Sequence, residues 1–73
     1  MIKDINEIEP GSLWKHYKND WFWIYLGPDK LRGQLLLYCL DDMGYDSITR
    51  VEMISFINAN IWIKVDWFIV ESF

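Results

Sequence analysis

Two side chains of this sequence, Cys39 and His16, are of the types that can act together as a nucleophile and a general base. Cys39 lies inside the apolar run 35–40, and apolar surroundings disfavour the reactive thiolate. His16 stands between Lys15 and Tyr17, with no neighbouring carboxylate in the sequence to orient its ring. Neither Gly27 nor Gly33 belongs to a phosphate-binding glycine motif. We therefore predict that the chain is not an enzyme and uses no cofactor.

Three carboxylates, those of Asp41, Asp42 and Asp46, surround Gly44. Calcium takes about six to eight oxygen ligands, and this segment lacks both the EF-hand spacing and its terminal glutamate. The single cysteine and single histidine are too few for a structural zinc site. We predict no metal site here, only an acidic turn with Gly44 at a positive φ. The alternative is that these acids, with others in the chain, form a negative face that docks a basic site on another protein, as an inhibitor that imitates nucleic acid would.

The chain has 73 residues and a net charge of −4, with 13 aromatic side chains when its five Trp, four Tyr and four Phe are counted. Net negative charge works against phosphate contacts, which dominate nucleic-acid affinity. Single-stranded nucleic acid remains the third hypothesis, because Trp14, Trp21 or Trp23 can stack on bases. The basic residues that would contact the backbone in that case are Lys15, Lys18, Lys30 and Arg32.

Turn signals at short intervals divide the chain into apolar segments of strand length, which is typical of an all-β barrel or sandwich. The predicted strands are 13–17, 21–26, 34–40, 48–51 and 61–70, the last bent near Asp66, with a loop over 27–33. Ile2, Ile5 and Ile8 recur every three residues, which favours a helical or 3-10 turn. The segment 52–57 is short enough to be either a strand or one helical turn. One domain over residues 1–73 is expected from the length.

Consecutive apolar residues over 21–26 predict a strand with apolar side chains on both faces. Trp21, Trp23 and Tyr25 would share one face, and Phe22, Ile24 and Leu26 the other. A domain of this size has one core, so either the strand is central in a closed barrel or its aromatic face meets a partner. Large aromatic side chains are favoured at protein interfaces. The predicted partner-binding residues are Trp14, Tyr17, Trp21, Trp23, Tyr25, Trp62 and Trp67, with two or three of the tryptophans expected on the surface.

The pattern of residues 10–40 resembles that of small SH3-like β-barrel proteins of bacterial and phage type. Two segments carry the resemblance: Pro-Gly-Ser-Leu-Trp-Lys-His-Tyr over 10–17, and Trp-Phe-Trp-Ile-Tyr-Leu-Gly over 21–27. The resemblance implies an architecture and no particular activity, because function varies widely within one fold. We predict a mainly β, SH3-like barrel of about five strands, with one short helical turn possible.

These features together favour a protein–protein interaction module that uses an aromatic surface. A concrete version is a phage or mobile-element accessory protein that modulates a host enzyme or defence factor. The alternative is a self-associating structural module, a homodimer, because exposed aromatic strands also pair with each other. The first nine residues show no targeting pattern and no apolar run is long enough to span a bilayer, so a cytoplasmic location without membrane contact is expected.

Overall fold

A computed structural model describes residues 1–65 of the chain. It contains a 3-10 helix, five strands and one α-helix. In chain order these are the 3-10 helix Ile5–Glu7, β1 Leu13–His16, β2 Phe22–Asp29, β3 Gln34–Cys39, β4 Gly44–Ile48, α1 Arg50–Asn58 and β5 Trp62–Val65.

The five strands form one antiparallel sheet with the order β4-β3-β2-β1-β5. Strands β1 to β4 follow one another as a meander, and α1 carries the chain back so that β5 pairs beside β1. The prediction of a mainly β fold with about five strands is confirmed. Among the described residues the sheet is open, with β4 and β5 at its edges, so the predicted closed barrel does not form. The resemblance to SH3-like proteins stays a prediction.

Strand β2 runs further than the sequence predicted. It continues through Gly27 and Pro28 to Asp29, a segment that was expected to be loop. The register against β3 shifts between Tyr25 and Gly27, which makes Leu26 the extra residue of a β-bulge. Gly27 takes φ 111° there, a value that side-chain-bearing residues rarely adopt, and this permits the bulge. The bulge lets β2 bend while staying paired to β3.

The region after β3 corrects two predictions. The fourth strand is Gly44–Ile48 rather than 48–51, and the positive φ of the acidic turn belongs to Met43 rather than Gly44. Strand β4 ends at Ile48 because Thr49 begins α1 as its N-cap. The hydroxyl of Thr49 accepts a hydrogen bond from the Glu52 N–H at 3.1 Å, and the Glu52 carboxylate accepts one from the Thr49 N–H at 3.3 Å. This capping box turns the ambiguous segment 52–57 into helix.

Replacing Thr49 with alanine is expected to lower the free energy of unfolding by about 0.5–2 kcal/mol, because the first turn of α1 loses the acceptor for the Glu52 N–H. Urea unfolding followed by circular dichroism measures the loss. Ser55→Ala is the matched control, since Ser55 is an exposed residue in the middle of the same helix. Equal stability of the two variants would contradict a structural role for the capping box.

The hydrophobic core lies on one side of the sheet, between the strands and the 3-10 helix and α1. We call this side of the sheet the inner face and the opposite side the outer face. The predicted helical turn at Ile5 is confirmed and places Ile5 and Ile8 in the core. The buried apolar residues that form the core are Ile5, Ile8, Trp14, Tyr25, Leu35, Leu37, Ile48, Met53 and Trp62. Strand β5 covers Trp62–Val65 of the predicted 61–70, and residues 66–70 lie outside the described residues.

Candidate functional site

The aromatic residues predicted as a binding surface separate into a buried group and an exposed group. Trp14, Tyr25 and Trp62 are buried in the core. This corrects their expected role, because a side chain packed inside the domain offers no surface to a partner. Of the other predicted residues, Trp23 is half-buried, Tyr17 and Trp21 are exposed, and Trp67 lies outside the described residues.

Trp23 belongs to the inner face as well. Its ring stacks on that of Trp62 with 6.1 Å between ring centroids, and it packs against the core cluster. The ring of Phe56 on α1 lies 5.7 Å from Trp62 on another side. The alternation predicted for the strand over 21–26 therefore holds at Trp23 and Tyr25, but the face that carries them is the core face.

The indole N–H of the buried Trp14 is satisfied within the domain, and Tyr25 is buried without charge. The Trp14 Nε1–H donates to the Ser12 hydroxyl at 2.9 Å, and that hydroxyl donates to the Glu9 carbonyl at 2.6 Å. Burial raises the pKa of the Tyr25 phenol above its usual 10.0, while the positive charge of Arg50 acts in the opposite direction. Tyr25 stays uncharged at neutral pH, as a core residue should.

Tyr17 and Trp21 are exposed at the turn between β1 and β2 and have different aromatic neighbours, Trp21 lying 6.3 Å from Trp23. Tyr17 stacks on His16 with 5.1 Å between centroids, and Lys18 Nζ lies 5.7 Å from the Tyr17 ring. The His16 Nδ1 accepts a hydrogen bond from the Lys18 N–H at 3.1 Å, so His16 helps to shape this turn. Cys39 is fully buried on β3, and β2 lies between it and the strand of His16. The structure does not bring the two residues together.

The acidic segment after β3 also has a structural role. A carboxylate oxygen of Asp41 accepts a hydrogen bond from the Phe22 N–H at 2.7 Å, at the start of β2. Asp42 and Asp46 are exposed. Within residues 1–65 no group of three potential metal-binding side chains comes together. No helix in that same part of the chain is long and apolar enough to cross a membrane.

The outer face of the sheet is a second exposed surface, and most of its side chains are apolar. It carries the residues that alternate with the inner-face side chains, and most of these are apolar or aromatic. The polar exceptions are Lys15, Ser47, Gln34 and Asp29, the last two at the end of the β2–β3 pairing. The outer-face side chains are those of Leu13 and Lys15 on β1, Phe22, Ile24 and Asp29 on β2, Gln34, Leu36 and Tyr38 on β3, Tyr45 and Ser47 on β4, and Ile63 and Val65 on β5. None of them belongs to the core cluster or packs against it. No element among the described residues packs on this face.

One row of the outer face crosses all five strands without a polar residue; we call it the central row. Register pairs join its members in the order Tyr45, Tyr38, Ile24, Leu13 and Val65. The Tyr38 and Tyr45 rings meet edge to face, with 5.0 Å between centroids and 66° between planes. Each member is half-buried or exposed, although its neighbours along the strand in β2 and β3 are core residues. The aromatic half of the row lies toward β4 and the aliphatic half toward β5.

Charge on the outer face is confined to its border. Lys15 pairs across the sheet with Phe22 on one side and Ile63 on the other. Its ammonium lies 3.4 Å from the Asp20 carboxylate, in an exposed ion pair beside the turn. Such surface pairs contribute little to stability. The middle of the face is thus free of charge, as the centre of a protein interface usually is.

The sequence of β3 predicts an apolar outer face, but the prediction of a binding surface relied on the aromatic residues instead. In the run 34–39 the residues Leu36 and Tyr38 alternate with Leu35, Leu37 and Cys39, so β3 is apolar on both sides. A strand of this kind in a small domain leaves one apolar side outside the core. The size of the tryptophan side chains drew the prediction to the side that the domain buries, since the largest side chains gain most from burial.

A concave surface lies at the C-terminal end of α1. It is an open cleft of about 330 Å³ lined by Met1, Ile2, Ile57, Asn58 and Asn60. The Asn58 side chain accepts from the Ile2 N–H and donates to the Ile2 carbonyl, both at 2.9 Å. The amide of Asn58 therefore holds the N-terminal segment against the helix and is already used.

Comparison of the chain with family models, with curated proteins and with solved structures finds no match. The outer face is therefore the feature of the chain that points to a function.

Proposed function

We propose that the chain is a protein–protein interaction module and that its contact surface is the outer face of the sheet. The observation that carries the proposal is the central row, a continuous apolar strip across five strands with no described element over it. Monomeric proteins rarely expose a contiguous apolar patch of more than a few hundred Å², and larger patches mark interaction sites. Aromatic residues such as Tyr38 and Tyr45 are typical of the centres of such sites.

The proposal keeps the interaction function expected from the sequence and changes the surface that performs it. The tryptophans of the inner face build the core, whereas tyrosines and aliphatic residues of the outer face make the contact. Trp21 does not belong to this surface, because its ring lies 6.3 Å from that of Trp23 on the inner-face side. Tyr17 is exposed at the turn that follows β1.

Replacing Ile63 with glutamate is expected to abolish partner binding. Ile63 is 49% exposed on the edge strand β5, so the substitution leaves the core intact and places a charge on the outer face. The neighbouring Lys15 is already paired with Asp20, so the new carboxylate adds a charge that an apolar interface must bury. Such burial is costly, and we expect the affinity to fall at least about tenfold. Tagged protein is used to capture partners from a lysate of the source cells, with and without nuclease, and captured proteins are identified by mass spectrometry.

The matched control is Val51→Glu. Val51 is 74% exposed on α1, which packs over the inner face, so this variant carries the same new charge on the other side of the molecule. Wild type and Val51→Glu should retain the same stoichiometric protein, and Ile63→Glu should lose it. Capture that persists in Ile63→Glu, or that disappears with nuclease, would contradict the proposal.

A further inference from the structure

We infer that the partner of the outer face is a second copy of the chain, held in a twofold dimer. The inference rests on the proposed function, because it names the occupant of the same surface. The two sheets pack outer face to outer face about an axis that passes near Ile24 and runs close to the strand direction, bisecting the small angle between the strands of the two copies. In this arrangement the β4 edge of each copy lies over the β5 edge of the other.

The first argument is the distribution of side-chain size along the central row. A twofold axis at Ile24, the middle member, reverses the row onto itself. The aromatic half of one copy then faces the aliphatic half of the other: Tyr38 faces Leu13, and Tyr45 faces Val65. Large side chains opposite smaller ones interdigitate, whereas a perpendicular axis would place Tyr45 against Tyr45.

The second argument is the shape of the surface. A β-sheet has a right-handed twist, and two sheets with the same twist pack face to face with their strands about 30° apart. A second copy of the chain has the same sheet twist, so the two outer faces can pack in this way. The described chain is one sheet covered on its inner face only, so a dimer completes a β-sandwich whose second core is made of the two outer faces.

The third argument is the size of the surface. Five strands spaced by about 4.8 Å, each with about five residues at roughly 3.3 Å, cover on the order of 400 Å² in projection. Two such faces together have on the order of 800 Å² in projection, below the roughly 1,200 Å² of a stable specific interface and in the range of weak, transient contacts. We therefore expect a reversible dimer with a dissociation constant on the order of micromolar rather than an obligate one.

Sedimentation analysis of the wild-type chain over a concentration series tests the dimer. The mass should rise from 8.8 kDa at low concentration to twice that value at high concentration. Ile63→Glu should remain at 8.8 kDa over the same range, and Val51→Glu should behave as the wild type. A wild-type chain that stays monomeric into the millimolar range, or a dimer unaffected by Ile63→Glu, would overturn the inference.

A mixing experiment tests the geometry. Tyr45 is 68% exposed on β4, and Tyr45→Lys should be monomeric because two buried ammonium groups would face apolar side chains. In an equimolar mixture of Tyr45→Lys and Ile63→Glu, one edge contact places the new lysine over Val65, two residues along β5 from the new glutamate, where the two long side chains can reach each other. The other edge contact is native. The mixture should therefore dimerise although neither variant does alone. Absence of a mixed dimer would overturn the twofold arrangement with β4 over β5.

The outcomes separate this inference from the proposed function. If the wild type is monomeric but captures a different protein that Ile63→Glu loses, the outer face binds another partner and the second copy is wrong. If the wild type is monomeric and captures nothing through the outer face, both are wrong. Ile63→Glu and Tyr45→Lys should have circular dichroism spectra and melting temperatures close to those of the wild type. A lower mass in sedimentation then means that the variant no longer dimerises, and not that it is unfolded.

Discussion

Replacing Trp62 with alanine is expected to lower the free energy of unfolding by about 3–5 kcal/mol. Trp62 is 7% exposed and lies between the rings of Trp23 and Phe56, at centroid distances of 6.1 Å and 5.7 Å. It connects the edge strand β5 to both the sheet and α1. At about 0.05–0.15 kcal/mol per residue, a chain of 73 residues has roughly 4–11 kcal/mol of stability in total. The substitution therefore removes a large share of it, and can unfold the domain.

Urea unfolding followed by far-UV circular dichroism measures this effect without depending on the fluorescence of the residue removed. Trp21→Ala is the control, because it removes the same side chain at a position that is 41% exposed, just before β2. We expect a loss below about 1 kcal/mol for that variant, as for surface positions in general. Equal losses in the two variants would show that Trp62 is not a core residue.

The strands that the sequence predicted best are those with strong apolar runs between clear turn residues. Strand β3 matches its predicted range to within one residue, and β2 begins one residue late. The isoleucine spacing that indicated a helical turn is confirmed at Ile5–Glu7. These elements are set by local patterns, since turn residues and side-chain periodicity act over a few neighbouring positions.

The region 44–58 was predicted less well because its signals compete. Tyr45, Asp46 and Ser47 do not form an apolar run, and β4 exists mainly because β3 offers it a pairing edge. The capping box of Thr49 and Glu52 was present in the sequence and predicts the start of α1, yet the apolar residues around it resemble a strand. Pairing with β3 makes residues 44–48 a strand, and the Thr49–Glu52 capping box makes the following residues a helix. The composition of the segment alone predicts neither.

The position of the proposed contact surface depends on which side of the sheet the helices cover, and no local sequence pattern shows this. Alternation shows that β2 and β3 are apolar on both sides, but it does not show which side α1 and the 3-10 helix will cover. In the structure these elements pack on the side of Trp14, Trp23 and Tyr25, where the largest side chains lie. Burial of apolar area scales with side-chain size, so the aromatic side became the core and the smaller residues remained outside.

The run Leu35-Leu36-Leu37 offers the most direct test of this division, because three identical side chains stand in consecutive positions on β3. Leu35 and Leu37 are fully buried on the inner face, whereas Leu36 is half-buried on the outer face. We expect Leu35→Ala and Leu37→Ala each to lower the free energy of unfolding by about 2–5 kcal/mol, through lost burial and the cavity that remains. Leu36→Ala should cost about 1 kcal/mol or less, since only part of its surface is buried.

The substitution and the strand are the same in all three variants, so differences in intrinsic β-propensity cancel and only the face differs. Urea unfolding curves provide the comparison. A cost for Leu36→Ala equal to that of its neighbours would mean that a further part of the protein already covers the outer face, and the interaction surface would then be wrong. If the alternation is observed, Leu36→Ala becomes a folded variant with less apolar area on the outer face. It should then weaken association while Leu35→Ala and Leu37→Ala act through stability, which separates the side chains that build the domain from those left to bind.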